Sequence, residues 1–305
     1  MELSFAFQYL VNFLMLGLIY SIVAVGFSLY FGVVDVVQFA HGDVLTLGGY
    51  AGLAGILLAT AAGASGLGLV LAMVGLAVIA TGAAGALIGR YLVLPLRQAP
   101  HINVLLITLM TGTAIREALR LFVPGGSNPN PFPMVLPDRL IGLAGASIRM
   151  SSIIMLVVGA AAIAGTYFLL NHTRLGLAVR GVAQDEETAR FMGINFKRVV
   201  ILTFVLGSSL GALAGIMSGL YYRQVIYNMG VMLGVIGFCC AVVGGLGSLL
   251  GAVIGGFLFA GLQTFATVAL PIPSAYKDVF AFTMMIFIIA IRPTGLLRER
   301  FQERV

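Results

Sequence analysis

The stretch NHTRLGLAVRGVAQDEETARFMGINFKR, residues 171–198, decides how this chain must fold. From Arg174 to Arg198 it carries eight charged residues, namely Arg174, Arg180, Asp185, Glu186, Glu187, Arg190, Lys197 and Arg198, and apolar runs flank it on both sides. Over the 305 residues 60% are hydrophobic and 9% charged, whereas a soluble domain carries about 25% charged residues. The flanking runs exceed the roughly 18–20 apolar residues that take a helix across a bilayer. Backbone amides in lipid must pair internally, so the spans are helices or a closed barrel. A barrel would alternate over short segments, and these runs are continuously apolar. The fold class is therefore all-α, a single polytopic helical membrane domain over residues 1–305, with residues 174–198 held in water.

Working outward from this island, spans are expected at 9–32, 44–62, 67–93, 103–123, 151–170, 199–222 and 278–291. The uncharged stretch 44–89 would be about 69 Å long as one helix, so it divides near the Gly63–Gly68 cluster. The run 230–270 is likewise too long for one crossing and divides near the glycine-rich residues 244–256. The count is eight or nine, some of them glycine-broken or re-entrant. With nine alternating spans and the island inside, Arg90, Arg97, Arg174, Arg180, Arg190, Lys197, Arg198, Arg292, Arg298, Arg300 and Arg304 are cytoplasmic. Arg116, Arg120, Arg139, Arg149, Arg223 and Lys277 fall toward the outside, and this eleven-to-six bias is what the positive-inside rule asks for. The amino terminus is then outside and the carboxyl terminus cytoplasmic. Residues 124–150, with the run PGGSNPNPFP, form an external loop because proline and glycine cannot continue the helix. That loop suits an external cap, a contact for an extracytoplasmic partner or a plain connector.

The net charge of +6 reflects basic cytoplasmic loops and calls for no nucleic acid partner. The first apolar run, 3–34, is too long for a signal-peptide core and lacks a basic start. Cys239 and Cys240 are adjacent inside an apolar run and read as packing residues. A phosphate-cradling loop needs GxxxxGK[ST], yet neither Lys197 nor Lys277 follows a glycine or precedes a Ser or Thr. The chain therefore holds no such ATP site, no metal site and no catalytic constellation. Residues 35–43, DVVQFAHGD, make a second polar point after the first span, where Asp43 is expected to cap the next helix. If this break is re-entrant, the helix amino terminus there favours an anionic group. A self-contained secondary transporter or channel, driven by an ion gradient through Asp35, His41 and Asp43, is the competing reading. Arg116 and Arg120 share a helical face near the outer end of the fourth span. Candidates for a translocation path are Asn12, Tyr20, Gln38, His41, Asp43, Gly245, Gly247 and Ser248. Within the island, Asp185, Glu186 and Glu187 suit the start of a helix ending near Met192, and Gly193 suits its C-cap. A short helix clamped between two spans transmits force, since neither end is free.

Four segments in order carry a resemblance: VQFAHGD at 37–43, RGVAQD at 180–185 running on to Ala189 and GIN at 193–195, VGGLGS at 243–248, and RPTGL at 292–296. In these the chain resembles the permeases of branched-chain amino acid ABC importers, the LivH type, over nearly its whole length. The resemblance implies a bacterial or archaeal inner-membrane importer with a second homologous permease, two ATPase subunits and a periplasmic or lipid-anchored solute-binding protein. ATP and magnesium would act on the partner subunits, with no cofactor in this chain. The segment matching Ala183 to Gly193 would be the coupling helix that meets the ATPase, implicating Arg180, Ala183, Asp185, Glu186, Ala189 and Gly193. Two positions depart from the family pattern: Gln184 stands where an acidic residue is frequent, and Leu249-Leu250 replaces a stretch that often includes proline.

Overall fold

A computed structural model describes residues 2–96, 99–143, 146–270 and 273–297. Arg97, Arg298, Arg300 and Arg304 of the orientation count lie outside the described residues. The chain is helical throughout its apolar runs: α1 (Glu2–Val34), α2 (His41–Ala61), α3 (Leu67–Leu87), α4 (His101–Phe122), α5 (Met150–His172), α6 (Arg174–Gln184), α7 (Glu186–Phe191), α8 (Phe196–Tyr222), α9 (Met229–Gly244), α10 (Leu249–Val268) and α11 (Lys277–Ile291). A π-helical turn, Ile88–Val93, and a short turn, Leu94–Leu96, extend α3. Eight helices among the described residues are long and apolar enough to cross a membrane, and α9, with 16 residues, is a shorter ninth. The chain is thus a polytopic helical membrane protein.

A helix that is apolar on all sides lies in a protein core or against lipid. The sequence of α1 is of that kind, and Ile22, Val23, Ala24 and Val25 are 0% exposed. It stands at the centre, packed against α8, α9, α10 and α5. Small residues let the backbones approach where lipid supplies no hydrophobic drive. Thus Gly48 meets Ala212 between α2 and α8, and Gly244 meets Gly251 between α9 and α10.

Contacts along α1 divide the molecule into two ends. At its Val34 end lie the island, the α9–α10 turn and the carboxyl-terminal strand of chain, where Leu296 and Leu297 N–H groups donate to the Val243 and Gly244 carbonyls at 2.8 and 3.0 Å. At the opposite end lie the Ala61–Leu67 turn, with Gly63 and Gly66 at φ +78° and +55°, and the loop after α4. That loop is tethered. Asn130–Pro131 pairs antiparallel with Gln224–Val225, Asp138 bridges Arg223 at 3.1 Å, and the buried Phe132 ring packs on Gly219.

Two helices are interrupted. After α1 the chain turns at Asp35 (φ +54°) and doubles back, so that His41 lies against Gly26, about 12 Å short of the Val34 end at 1.5 Å per residue. From the other side, residues 223–228 descend from the end of α8 until Val225 lies against Gly49 and Gly230 against Gly42. The first turns of α2 and α9 therefore meet side by side within the bundle. One expectation is corrected here. Ala40, not Asp43, is the N-cap of α2; Asp43 sits inside the first turn without a capping bond because its carboxylate faces Arg116.

Candidate functional site

The island folds as two short helices, each started by a side chain that accepts from free backbone N–H groups. Thr173 accepts from Gly176 N–H at 3.2 Å to start α6. Asp185 accepts from Glu187 and Thr188 N–H at 2.9 and 3.3 Å to start α7, and its other oxygen takes the Thr188 hydroxyl. Gly193, at φ +82°, closes α7, and Asn195 accepts from Arg198 N–H at 3.2 Å to start α8. Glu186 pairs with Arg190 one turn later, and Arg190 lies over the Phe196 ring at 5.3 Å. Arg180 donates to Asn171 Oδ1 at 2.8 Å, tying α6 back to α5. Val179, Val182 and Ala189 are buried against Val33, Val93, Val199 and Phe204, while Ala183 is half-buried. The opposite side carries Leu177, Phe191 and Met192, the last two 91% and 79% exposed. Apolar side chains held outward on a polar segment make this side a candidate contact surface. Phe191 and Met192 were not among the residues singled out from the sequence; two consecutive bulky apolar residues inside a water-bound charged run were the available signal.

The second site lies where α2 and α9 meet. A cavity of about 140 Å³ opens there, walled by Phe27, Phe39, Val231, Val235 and Phe238, with Asp43, Thr113 and Arg116 as its polar members. Arg116 Nε stands 3.8 Å from Asp43 Oδ1, and Arg116 Nη2 donates to Thr113 Oγ1 at 3.1 Å. Asp43 Oδ1 accepts no hydrogen bond from the protein. Thr46 Oγ1 accepts from Gly230 N–H at 3.0 Å and donates to the Gly42 carbonyl at 3.3 Å, locking the two first turns together. Phe39 N–H reaches Thr108 Oγ1 at 3.4 Å, so α4 holds the doubled-back segment. The depth of Arg116 was not visible in its position along the fourth span. It lies beside the first turn of α2, where a charge in a membrane protein needs a partner.

The other path candidates are dispersed. His41 is fully buried between Phe27 and Tyr30, with ring centroids at 5.0 and 5.3 Å, and its Nδ1 lies 3.4 Å from the Tyr30 hydroxyl. Gln38 is 1% exposed with neither amide atom hydrogen-bonded within the protein. Tyr20 donates to Gln263 Oε1 at 3.1 Å between α1 and α10, away from the cavity lining. Asn12 is exposed near the start of α1. Gly245 and Gly247, at φ +111° and +88°, form the α9–α10 turn, and Ser248 starts α10 by accepting from Gly251 N–H at 3.2 Å. Among the described residues no group of three His, Cys, Asp or Glu side chains is placed to hold a metal ion.

Fold and site define a class: a multi-pass helical permease with an interrupted-helix centre and a polar segment anchored between two spans. The family model described as "Branched-chain amino acid transport system / permease component" matches residues 9–289, and the chain belongs to that family. It is 31% identical to the high-affinity branched-chain amino acid transport system permease protein BraD of Pseudomonas aeruginosa, covering 100% of this chain and 99% of that protein. It is also 31% identical to the permease protein LivH of Escherichia coli K12, over 98% of this chain and 97% of the relative. Among solved structures, a chain of PsaBC from Streptococcus pneumoniae in complex with Fab aligns with a TM-score of 0.50 at 15% identity, covering 94% and 92% of the two chains. That likeness supports the fold.

Proposed function

We propose that this chain imports branched-chain amino acids or similar small amphipathic solutes, as the membrane subunit of an ATP-driven assembly whose ATPases are separate chains. The observation that carries the reading is the build of α6 and α7. Both are capped, clamped between α5 and α8, buried on one side and armed with Phe191 and Met192 on the other. A pair of helices so held moves as a block and passes a push at its outer face into α8. The Val34 end is then cytoplasmic, the 124–150 loop faces outward toward a solute-binding protein, and a second permease completes the path. Residues 174–198 form the coupling segment, with Arg180, Ala183, Asp185, Glu186, Ala189 and Gly193 fixing its shape. ATP-driven closure of the partner ATPases would shift α6 and α7 and so the balance between outward- and inward-open states.

Reconstitution tests this. Proteoliposomes holding the chain with its partner permease, ATPases and leucine-loaded binding protein should accumulate leucine only with ATP inside the ATPase-facing compartment. Uptake by the chain alone, driven by a pH gradient and indifferent to ATP, would establish the secondary-transporter reading instead.

A further inference from the structure

We infer that the cavity between the first turns of α2 and α9 is a transit site for an α-amino acid zwitterion, with Asp43 receiving its ammonium group, Arg116 its carboxylate and the Phe27, Phe39 and Phe238 wall its aliphatic side chain. The inference rests on the permease reading above and assigns that reading a place and a chemistry.

Three observations converge on it. The first is the state of the charge pair. An ion pair closed by a hydrogen bond has N···O near 2.7–2.9 Å, as a rough norm. Arg116 and Asp43 stand 3.8 Å apart, and the Asp43 oxygen facing Arg116 accepts no hydrogen bond, although Asp43 is only 7% exposed. Opposite charges are thus held close enough to compensate one another and too far apart to saturate one another. A zwitterion can enter this gap, because each of its charges replaces the partner that it displaces. A lone cation or anion would leave one buried charge uncompensated, which is costly inside a membrane.

The second is the field. The amino-terminal ends of α2 and α9 both border the cavity, through Gly42 and Gly230, and the positive ends of interrupted helices favour a carboxylate. The α2 end is already answered by Asp43 in its own first turn, so the α9 end joins Arg116 in favouring the carboxylate, and Asp43 draws the ammonium. The third is size and lining. An apolar cavity of about 150 Å³ accommodates a molecule the size of benzene. The 140 Å³ here, walled by aromatic and branched side chains, suits a four- or five-carbon aliphatic group. Gly42, Gly230 and Gly234 line its floor, and the absence of Cβ atoms there lets the first turns of α2 and α9 close against each other beneath it. Gly112 leaves room for Asp43 from behind, since a Cβ there would collide with the carboxylate.

The test uses the complete wild-type assembly in nanodiscs, without binding protein, with tritiated leucine followed by scintillation proximity. Leucine should bind saturably and be displaced by unlabelled leucine and valine. 4-Methylpentanoate, which lacks the ammonium group, and 3-methylbutylamine, which lacks the carboxylate, should displace it at least about tenfold less well, the equivalent of one lost charged contact. Asp43→Asn and Arg116→Gln should abolish binding, and Asp43→Glu and Arg116→Lys should restore part of it. Absence of saturable binding, equal competition by either analogue, or wild-type binding in both neutral variants overturns the assignment. ATP-driven leucine uptake by the same wild-type assembly, reconstituted into proteoliposomes with its binding protein, separates the two claims. Uptake without the zwitterion preference removes the site and leaves the permease reading; no ATP-driven uptake removes the permease reading itself.

Discussion

Gly42 and Gly230 are where the two interrupted helices touch, and the contact leaves no room for a side chain. A Cβ on Gly230 would land on the Gly42 carbonyl and the Thr46 hydroxyl, both of which belong to α2. Backbone cannot step aside as a flexible side chain does, so Gly230→Ala should cost about 1–3 kcal/mol and lower the thermal midpoint in nanodiscs. Gly75→Ala is the internal control. Nothing lies within 4 Å of a Cβ there, so helix propensity alone should act, with a gain of up to about 1 kcal/mol. Equal midpoints for the two variants would show that the close approach of α2 and α9 is wrong.

Among the elements, α8 links the two sites. Capped by Asn195 beside the 174–198 segment, it packs Gly211 on His41 and Gly215 on Leu45, and ends against the 124–150 loop through Gly219 and Phe132. A displacement of α7 therefore reaches the first turns of α2 along one continuous helix. Phe191→Ala and Met192→Ala should each weaken ATPase-subunit binding about tenfold in a pull-down titration, as truncation of an exposed anchor does. Glu186→Arg and Gly193→Asp should instead lower leucine transported per ATP hydrolysed, the first by opposing Arg190 and the second by placing a Cβ and a further negative charge at the left-handed φ +82° that closes α7. Unchanged coupling in both would remove α7 from the transmission. Much of this segment was legible in the sequence, because Asp185 and Gly193 are residues that start and stop helices for local reasons. The interruption at α9 was not. Residues 224–230 carry no signal that distinguishes a mid-membrane turn from a loop in water, and only the fit of Val225 on Gly49 and Gly230 on Gly42 places them.

At the scale of the whole molecule, the island, the α9–α10 turn and residues 295–297 share one end, and the 124–150 loop occupies the other. In a background with Cys239 and Cys240 replaced by alanine, Met192→Cys should react with a membrane-impermeant maleimide only in inside-out vesicles. Leu140→Cys should react only in right-side-out vesicles, since both positions are well exposed. The reverse pattern would invert the topology. Hydropathy made the grouping of these segments at two ends readable, because length acts on each span independently and successive spans alternate in direction. The depth of Arg116 was not readable, since it is set by which helix lies opposite, and the doubled-back 35–40 segment brings Asp43 to it. The central position of α1 has one more consequence, for biosynthesis. Its apolar surface is covered chiefly by α8, α9 and α10, which leave the ribosome long after it. Until they arrive, α1 must rest against lipid or a membrane chaperone. Nascent chains released before α8 should accordingly be degraded quickly, while those that extend past α10 persist.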